Sequence, residues 1–380
     1  MNTARFLFCL NSDDPEIVSQ GLEEFRDQVL IDHGATVSYG YLGRGSTDDV
    51  METFLPKPVT ATVGMLASFI KSSPQLEELF VLWGLPGVDD DKSLSSSLMS
   101  CMAVILHAAT SNSHFCTVIV NRIIFQHSKS ILSRISSGNL KLVHSTLALV
   151  LAMCRTSAQN CRDTFQKLVA ISSSTFSTVL QQGKVISFEG EQKDESIKIP
   201  KLKTDCRLLT VVIILSAVMA IDLTSGPDIH SNIAYLLKRI TSSIAKDGPF
   251  LVQLILESLM YIRRIPLSEL LVGSKLVDIK FQDNLLYLYH NEDTKIQRVA
   301  HSFLLDHSYH LVDGMSKGGR GIVAGTAKAS ALQLLRHLEG HRDLRHREVQ
   351  ASTCFYQVWL YCVTVGRTNT DILYLLLLYV

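Results

Sequence analysis

Apolar side chains recur at steps of three and four along most of this chain, the spacing of helices with one face turned to a core. The stretch from 93 to 180 sets the pattern. Residues 92–110 place Leu94, Leu98, Cys101, Met102, Ile105, Leu106 and Ala109 on one helical face. Residues 112–135 repeat this with Phe115, Val118, Ile119, Ile123 and Phe125, then Ile131, Leu132 and Ile135. After Ser137-Gly138-Asn139, residues 140–154 are so apolar that both sides of the helix must be covered, and 160–171 adds Phe165, Leu168 and Val169. The second pair begins about 46 residues after the first, within the range of two- and three-helix repeats. Stacked helical hairpins are the expected architecture.

The rest of the chain continues the rhythm. Helices are predicted over 15–31, 59–70 and 75–83, the last stopped by Gly84 and Pro86, with a loop and one short strand or turn over 32–58. Asp89, Asp90 and Asp91 precede Lys92, where negative charge favours the amino end of the next helix. Residues 181–203 combine glycine, Pro200 and mixed charge, and read as an exposed loop at one edge of the stack. A strongly apolar helix follows over 204–221; its run of about 13 residues is short of the roughly 20 a membrane span needs. Further helices are predicted over 229–244, 249–265, 268–272, 278–289, 294–312, 327–338 and 345–365. No sheet emerges, so the predicted class is all-α, an armadillo/HEAT-like α-solenoid. Its expected divisions are an N-terminal segment (1–58) with one helix, the solenoid (59–338), and a last helix with an atypical apolar end (339–380). The closing Asp371-to-Val380 decamer lacks a polar face, unlike a capping repeat, which suggests a fragment or an unnatural final stretch.

Composition narrows the function. The 380 residues are 47% hydrophobic and 19% charged, with 36 basic and 36 acidic side chains. That excludes wholesale disorder and a uniformly basic nucleic-acid binder, and leaves local patches for any RNA contact. Eight cysteines are scattered without a CxxC pair or a secretory signal, so they read as reduced core thiols. His301, Asp306, His307 and His310 gather near one predicted helix but match no defined metal motif. Residues 314–325 are glycine-rich yet lack the Lys-Ser/Thr pair of a phosphate loop. No nucleophile–His pattern or paired-carboxylate cleft is legible, so no catalytic residue, cofactor, metal or small-molecule substrate is expected. Three basic clusters remain as possible RNA or partner contacts: Lys198, Lys201, Lys203 and Arg207; Lys317 and Arg320; Arg336, Arg342, Arg345 and Arg347. Guanidinium and ammonium groups at such densities suit phosphate or carboxylate.

The residues 97–102, 105–110, Ser113-His114-Phe115, 118–123 and 140–153, with a second block at 298–305 and the helix at 332–338, resemble the amino-terminal domain of the nucleolar pre-ribosomal-associated protein 1 family. The resemblance spans roughly 56–338. It implies a very large, non-enzymatic nucleolar scaffold of armadillo- or HEAT-like helices, acting in early 60S subunit assembly and pre-rRNA processing. It further implies pre-60S assembly factors as partners, an RNA helicase among them, and pre-rRNA. The balanced charge favours protein contacts over direct RNA binding by this segment, and no membrane partner is expected. An armadillo-type adaptor for peptides or transport cargo is the alternative, although its usual Asn or Trp ladders are missing: only Trp83 and Trp359 occur. An enzyme or a membrane-anchored protein is a third reading, resting on the histidine cluster and the apolar tail.

Overall fold

The computed structural model describes residues 3–32, 74–85, 87–109, 113–169, 173–182, 195–221 and 225–264, with 281, 284–285, 287–288, 291–300 and 303 beyond them. Every element among these is helical: α1 (Thr3–Leu10), α2 (Pro15–Asp32), α3 (Pro74–Gly84), α4 (Lys92–Ala108), α5 (Ser113–Ile135), α6 (Leu140–Thr156), α7 (Ala158–Val169), α8 (Ser173–Gln182), α9 (Glu195–Ala220), α10 (Pro227–Thr241), a 3-10 turn (Ile244–Lys246) and α11 (Pro249–Arg264). The joints carry their own reasons. Gly87 takes a φ of +94°, a left-handed turn that a side chain would resist. Asp91, in extended backbone, then caps α4 by accepting from the amides of Ser93 and Leu94. Asn139 caps α6 through the Leu142 amide at 3.1 Å, and Ser157 Oγ accepts from the Asn160 amide at 3.0 Å to start α7. Pro227 and Pro249 open α10 and α11, where their missing N–H costs nothing.

Two compact units make up the chain, one from Met1 to Arg239 and another from Ile240 onward. In the first, α6 is central and packs on α4, α5, α7 and α9. Leu142, Val143 and an unbroken buried run from Ser145 to Cys154 leave it almost no free face, as its composition predicts. Its polar members turn inward on the helix itself: Thr146 Oγ1 and Ser145 Oγ both donate to the Leu142 carbonyl. Helices α2, α4, α6 and α9 touch in succession, while α5 packs against α7 and α8. Within α4 the expectation of a single buried face is too narrow. Ser95, Ser96 and Ser97 are buried as well as the apolar stripe, because α2 covers one side and α6 the other. The serines are small enough for this close approach, and two of them bond across it: Ser97 Oγ lies 2.8 Å from Ser19 Oγ, and Ser96 Oγ 3.1 Å from Ser145 Oγ.

Further expectations change, and one is an addition: α8 (Ser173–Gln182) fills the interval between the predicted 160–171 helix and the predicted loop. The N-terminal segment carries a second helix, α1, whose Phe6 is buried and stacks on Phe25 at 4.5 Å. Eight residues give too short a period to register by pattern alone. Helix α9 begins at Glu195, so the end of the predicted 181–203 loop is helical despite Pro200. One proline removes one backbone hydrogen bond, and the apolar continuation buried beside α6 outweighs that. The helix predicted to reach 244 ends at Thr241 and gives way to the 3-10 turn.

In the second unit, α11 buries Leu251, Val252, Leu254, Ile255, Leu256 and Leu259. Phe281 meets Phe303 edge-on at 5.8 Å, and Asn284 Nδ2 donates to the Thr241 carbonyl at 3.1 Å. The helices predicted over 59–70, 268–272, 327–338 and 345–365 lie outside the described residues, as does the 371–380 decamer. No helix among the described residues is long and apolar enough to cross a membrane.

Candidate functional site

The four residues of the first predicted basic cluster all fall on α9. Lys198 and Lys201 occupy its opening turns, and Lys203 is half-buried. Arg207 is buried, and its guanidinium donates to the Leu180 carbonyl at the end of α8. Arg207 therefore packs α8 against α9 and is withdrawn from any phosphate; a sequence pattern sees its charge but not its burial. Lys317, Arg320, Arg336, Arg342, Arg345 and Arg347 lie outside the described residues, as do His301, Asp306, His307 and His310. Among the described residues no three His, Cys, Asp or Glu side chains gather closely enough to hold a metal ion.

The structure builds a different polar constellation, where α3 and the Gly87 turn meet α5. Arg122 lies over the Phe80 ring at 4.0 Å and pairs with Glu77 at 2.6 Å. His127 stacks on Trp83 at 4.2 Å, and Trp83 Nε1 donates to Ser130 Oγ at 3.3 Å. Arg134 is buried, sits 5.1 Å from the Trp83 ring and pairs with Asp89 at 2.5 Å. Alternating cations and ring faces attract through the ring quadrupole, and each contact adds about 0.5–2 kcal/mol. Burial holds His127 below its ordinary value, with Arg134 and Arg122 acting in the same direction and Asp89 opposing them. The acidic triplet thus divides its labour: Asp91 caps, and Asp89 neutralises a buried guanidinium. Only the first role is visible in sequence, since the partner lies 45 residues away.

A cleft of about 300 Å³ opens between α6, α7 and α9, lined by Cys154, Arg155, Ser157, Cys161 and Met219 among others. Its two thiols share a hydrogen bond, which, with burial, raises Cys154 well above its ordinary value. Cys101, Cys116 and Cys206 are likewise pushed up by burial, to about 12, 11 and 12. Cys101, Cys116, Cys154 and Cys206 are thus protonated, unreactive thiols, in keeping with core positions.

A further feature is one of distribution. From Lys92 to Arg162 there is no Asp or Glu, while seven Lys and Arg occur; the 91 residues before it carry fifteen acidic side chains against five basic. The neutral total hides this, and counting charge in windows reveals it. The contrast is used in packing, because Glu23 on acidic α2 faces Lys141 of α6 at 3.8 Å and accepts from Ser97 Oγ at 3.2 Å. It also leaves the outer side of α5 and α7 cationic, with Lys129 and Lys167 exposed.

Among the described residues the fold is an all-helical body of serially packed helices, with charge and aromatic groups gathered along helix edges. The particular family follows from comparison: the model for Npa1, described as ribosome 60S biogenesis N-terminal, matches residues 76–346, and the chain belongs to this family. No curated protein matches the chain. The family is one of 60S ribosome biogenesis.

Proposed function

We propose that this chain is a non-enzymatic scaffold in early large-subunit assembly, holding assembly factors and pre-rRNA along an α-solenoid. The family match over 76–346 carries the reading. The serial packing of α2, α4, α6 and α9, with α5 and α7 on a second layer, supports a solenoid, since such stacks bury a core only between neighbours. A nucleolar setting, an RNA helicase among the partners and a part in pre-rRNA processing belong to the same proposal. Lys198, Lys201, Lys203, Lys317, Arg320, Arg336, Arg342, Arg345 and Arg347 are its proposed RNA or partner contacts. Sedimentation tests it. The tagged protein should travel with large-subunit precursors, and its depletion should change the level of their rRNA. Free sedimentation together with unchanged precursor rRNA would overturn the proposal.

A further inference from the structure

Helix α5 packs on α6, α7 and α8 and is met by α3 and the Gly87 turn, yet it turns two large apolar side chains outward. Phe125 is 77% exposed and Val118 is 54% exposed. They stand one heptad apart, about 10 Å along the helix axis, and so on the same face. One cation lies by the ring, Lys167 of α7 with Nζ 5.9 Å from its centroid; exposed Lys129 follows one turn later on α5, while Arg122, one turn before, is turned to Glu77 and Phe80 of α3. No acidic residue occurs on α5. Asp163 of α7 already accepts from Gln159 at 2.9 Å. Two apolar anchors at heptad spacing within a cationic rim complement an amphipathic helix whose apolar stripe is flanked by carboxylates.

We infer that the Val118–Phe125 face, rimmed by Lys129 and Lys167, docks an acidic amphipathic helix of a partner protein. The inference rests on the scaffold reading above for its biological setting. A protein fits this face better than a polynucleotide. Arg122, the cation nearest α3, is already committed to Glu77 and Phe80, and a single exposed ring offers a stacking platform for one base only. The exposed Glu77 carboxylate beside it repels a continuous phosphate chain. A helix instead brings discrete carboxylates to Lys129 and Lys167 and seats two side chains on Val118 and Phe125.

The test uses the full chain, purified, and a synthetic helix of about 20 residues, long enough to hold its structure, with leucines one heptad apart and glutamates beside them. Fluorescence anisotropy should show this peptide binding at least about tenfold more tightly than a scrambled peptide of the same composition. Phe125→Ala should weaken it by about tenfold or more, as removal of a central aromatic anchor does, while thermal unfolding stays unchanged. Lys129→Glu with Lys167→Glu should reverse the preference, favouring a peptide with lysines in place of the glutamates. Equal binding of the scrambled peptide, or indifference to both variants, would overturn the inference. So would tight binding of an oligoribonucleotide, or self-association of the chain, that Phe125→Ala abolishes. These readouts come from purified protein, so failure of the scaffold reading, seen as free sedimentation in cells, remains distinguishable from failure of this one.

Discussion

Helices α5 and α6 follow one another and pack together, but they use apolar residues in opposite ways. Helix α6 is enclosed by four neighbours, and its apolar side chains are core. Helix α5 leaves one face uncovered, where Phe125 and Val118 look outward with Lys167 beside the ring. Both read as apolar helices in sequence. What separates a core residue from a contact residue is whether a neighbouring helix covers it, a property of the stack and not of the residue. Windowed charge gives a partial substitute, because a covered face has no need of a cationic rim.

Substitutions should divide along the same line. Leu147 of α6 is fully buried, and Leu147→Ala should lower stability by about 3–4 kcal/mol from lost transfer energy plus a cavity. Urea unfolding followed by circular dichroism checks it; a loss under about 1 kcal/mol would mean α6 is not enclosed as described.

Next come the polar contacts around α5. Asp89→Ala leaves the buried Arg134 guanidinium without its counter-charge, at a cost of about 2–3 kcal/mol, since Asp89 itself is largely exposed and partly screened. Adding Arg134→Met should recover most of that loss, because an apolar side chain of similar volume leaves no buried charge behind. If the double variant is no better than Asp89→Ala, the deficit does not come from the stranded guanidinium.

Closer to the N-terminus, a methyl group at Gly21 would overlap Cys9 Cβ where α1 crosses α2. Gly21→Ala should cost about 1–2 kcal/mol, by overpacking. The visible sign would be faster alkylation of Cys9, and unchanged Cys9 kinetics would count against the close crossing.

Acid has a directional effect. His127 and His144 are both held below their ordinary value of 6.5, in each case mainly by burial, with Asp205 opposing the shift at His144. Protons therefore bind the unfolded chain more readily. Stability is full above the ordinary value and falls as pH drops through the window between it and the lower folded values. The pair His127→Gln and His144→Gln should flatten that acid limb in urea titrations, and an unaltered slope would exclude these two groups as its source. At the small end stands Phe125→Ala, expected to change stability by no more than about 0.5 kcal/mol. A larger loss would place the ring in the core and erase the contrast between α5 and α6.

The first four helices of the 93–180 stretch are legible because their three-and-four spacing runs over many turns and the caps Asp91 and Asn139 are local signals; the fifth, α8, is ten residues rich in Ser and Thr and passes unseen. Three other things are not legible. Helix α1 is too short for its period to stand out, and only Phe6 against Phe25 reveals it. The second buried side of α4 is made of serines, which hydropathy does not count as core. Arg207 and Arg134 are cations whose burial depends on a carbonyl and a carboxylate supplied from elsewhere in the chain. Long-range pairing of this kind leaves no trace in local spacing. Spacing assigns the exposed Phe125 to a buried face for the same reason: periodicity orders residues around a helix without saying which sides acquire neighbours.

The buried thiols have a kinetic consequence. Cys101, Cys116 and Cys206 are shielded between helices of the first unit, and only a separated junction gives them solvent and an ordinary ionisation. Under native conditions each should react with a maleimide or iodoacetamide no faster than its own junction opens. Three labelling rates read by mass spectrometry would then rank the junctions by opening free energy. A partner that clamps the stack would show itself as the subset of thiols whose labelling slows.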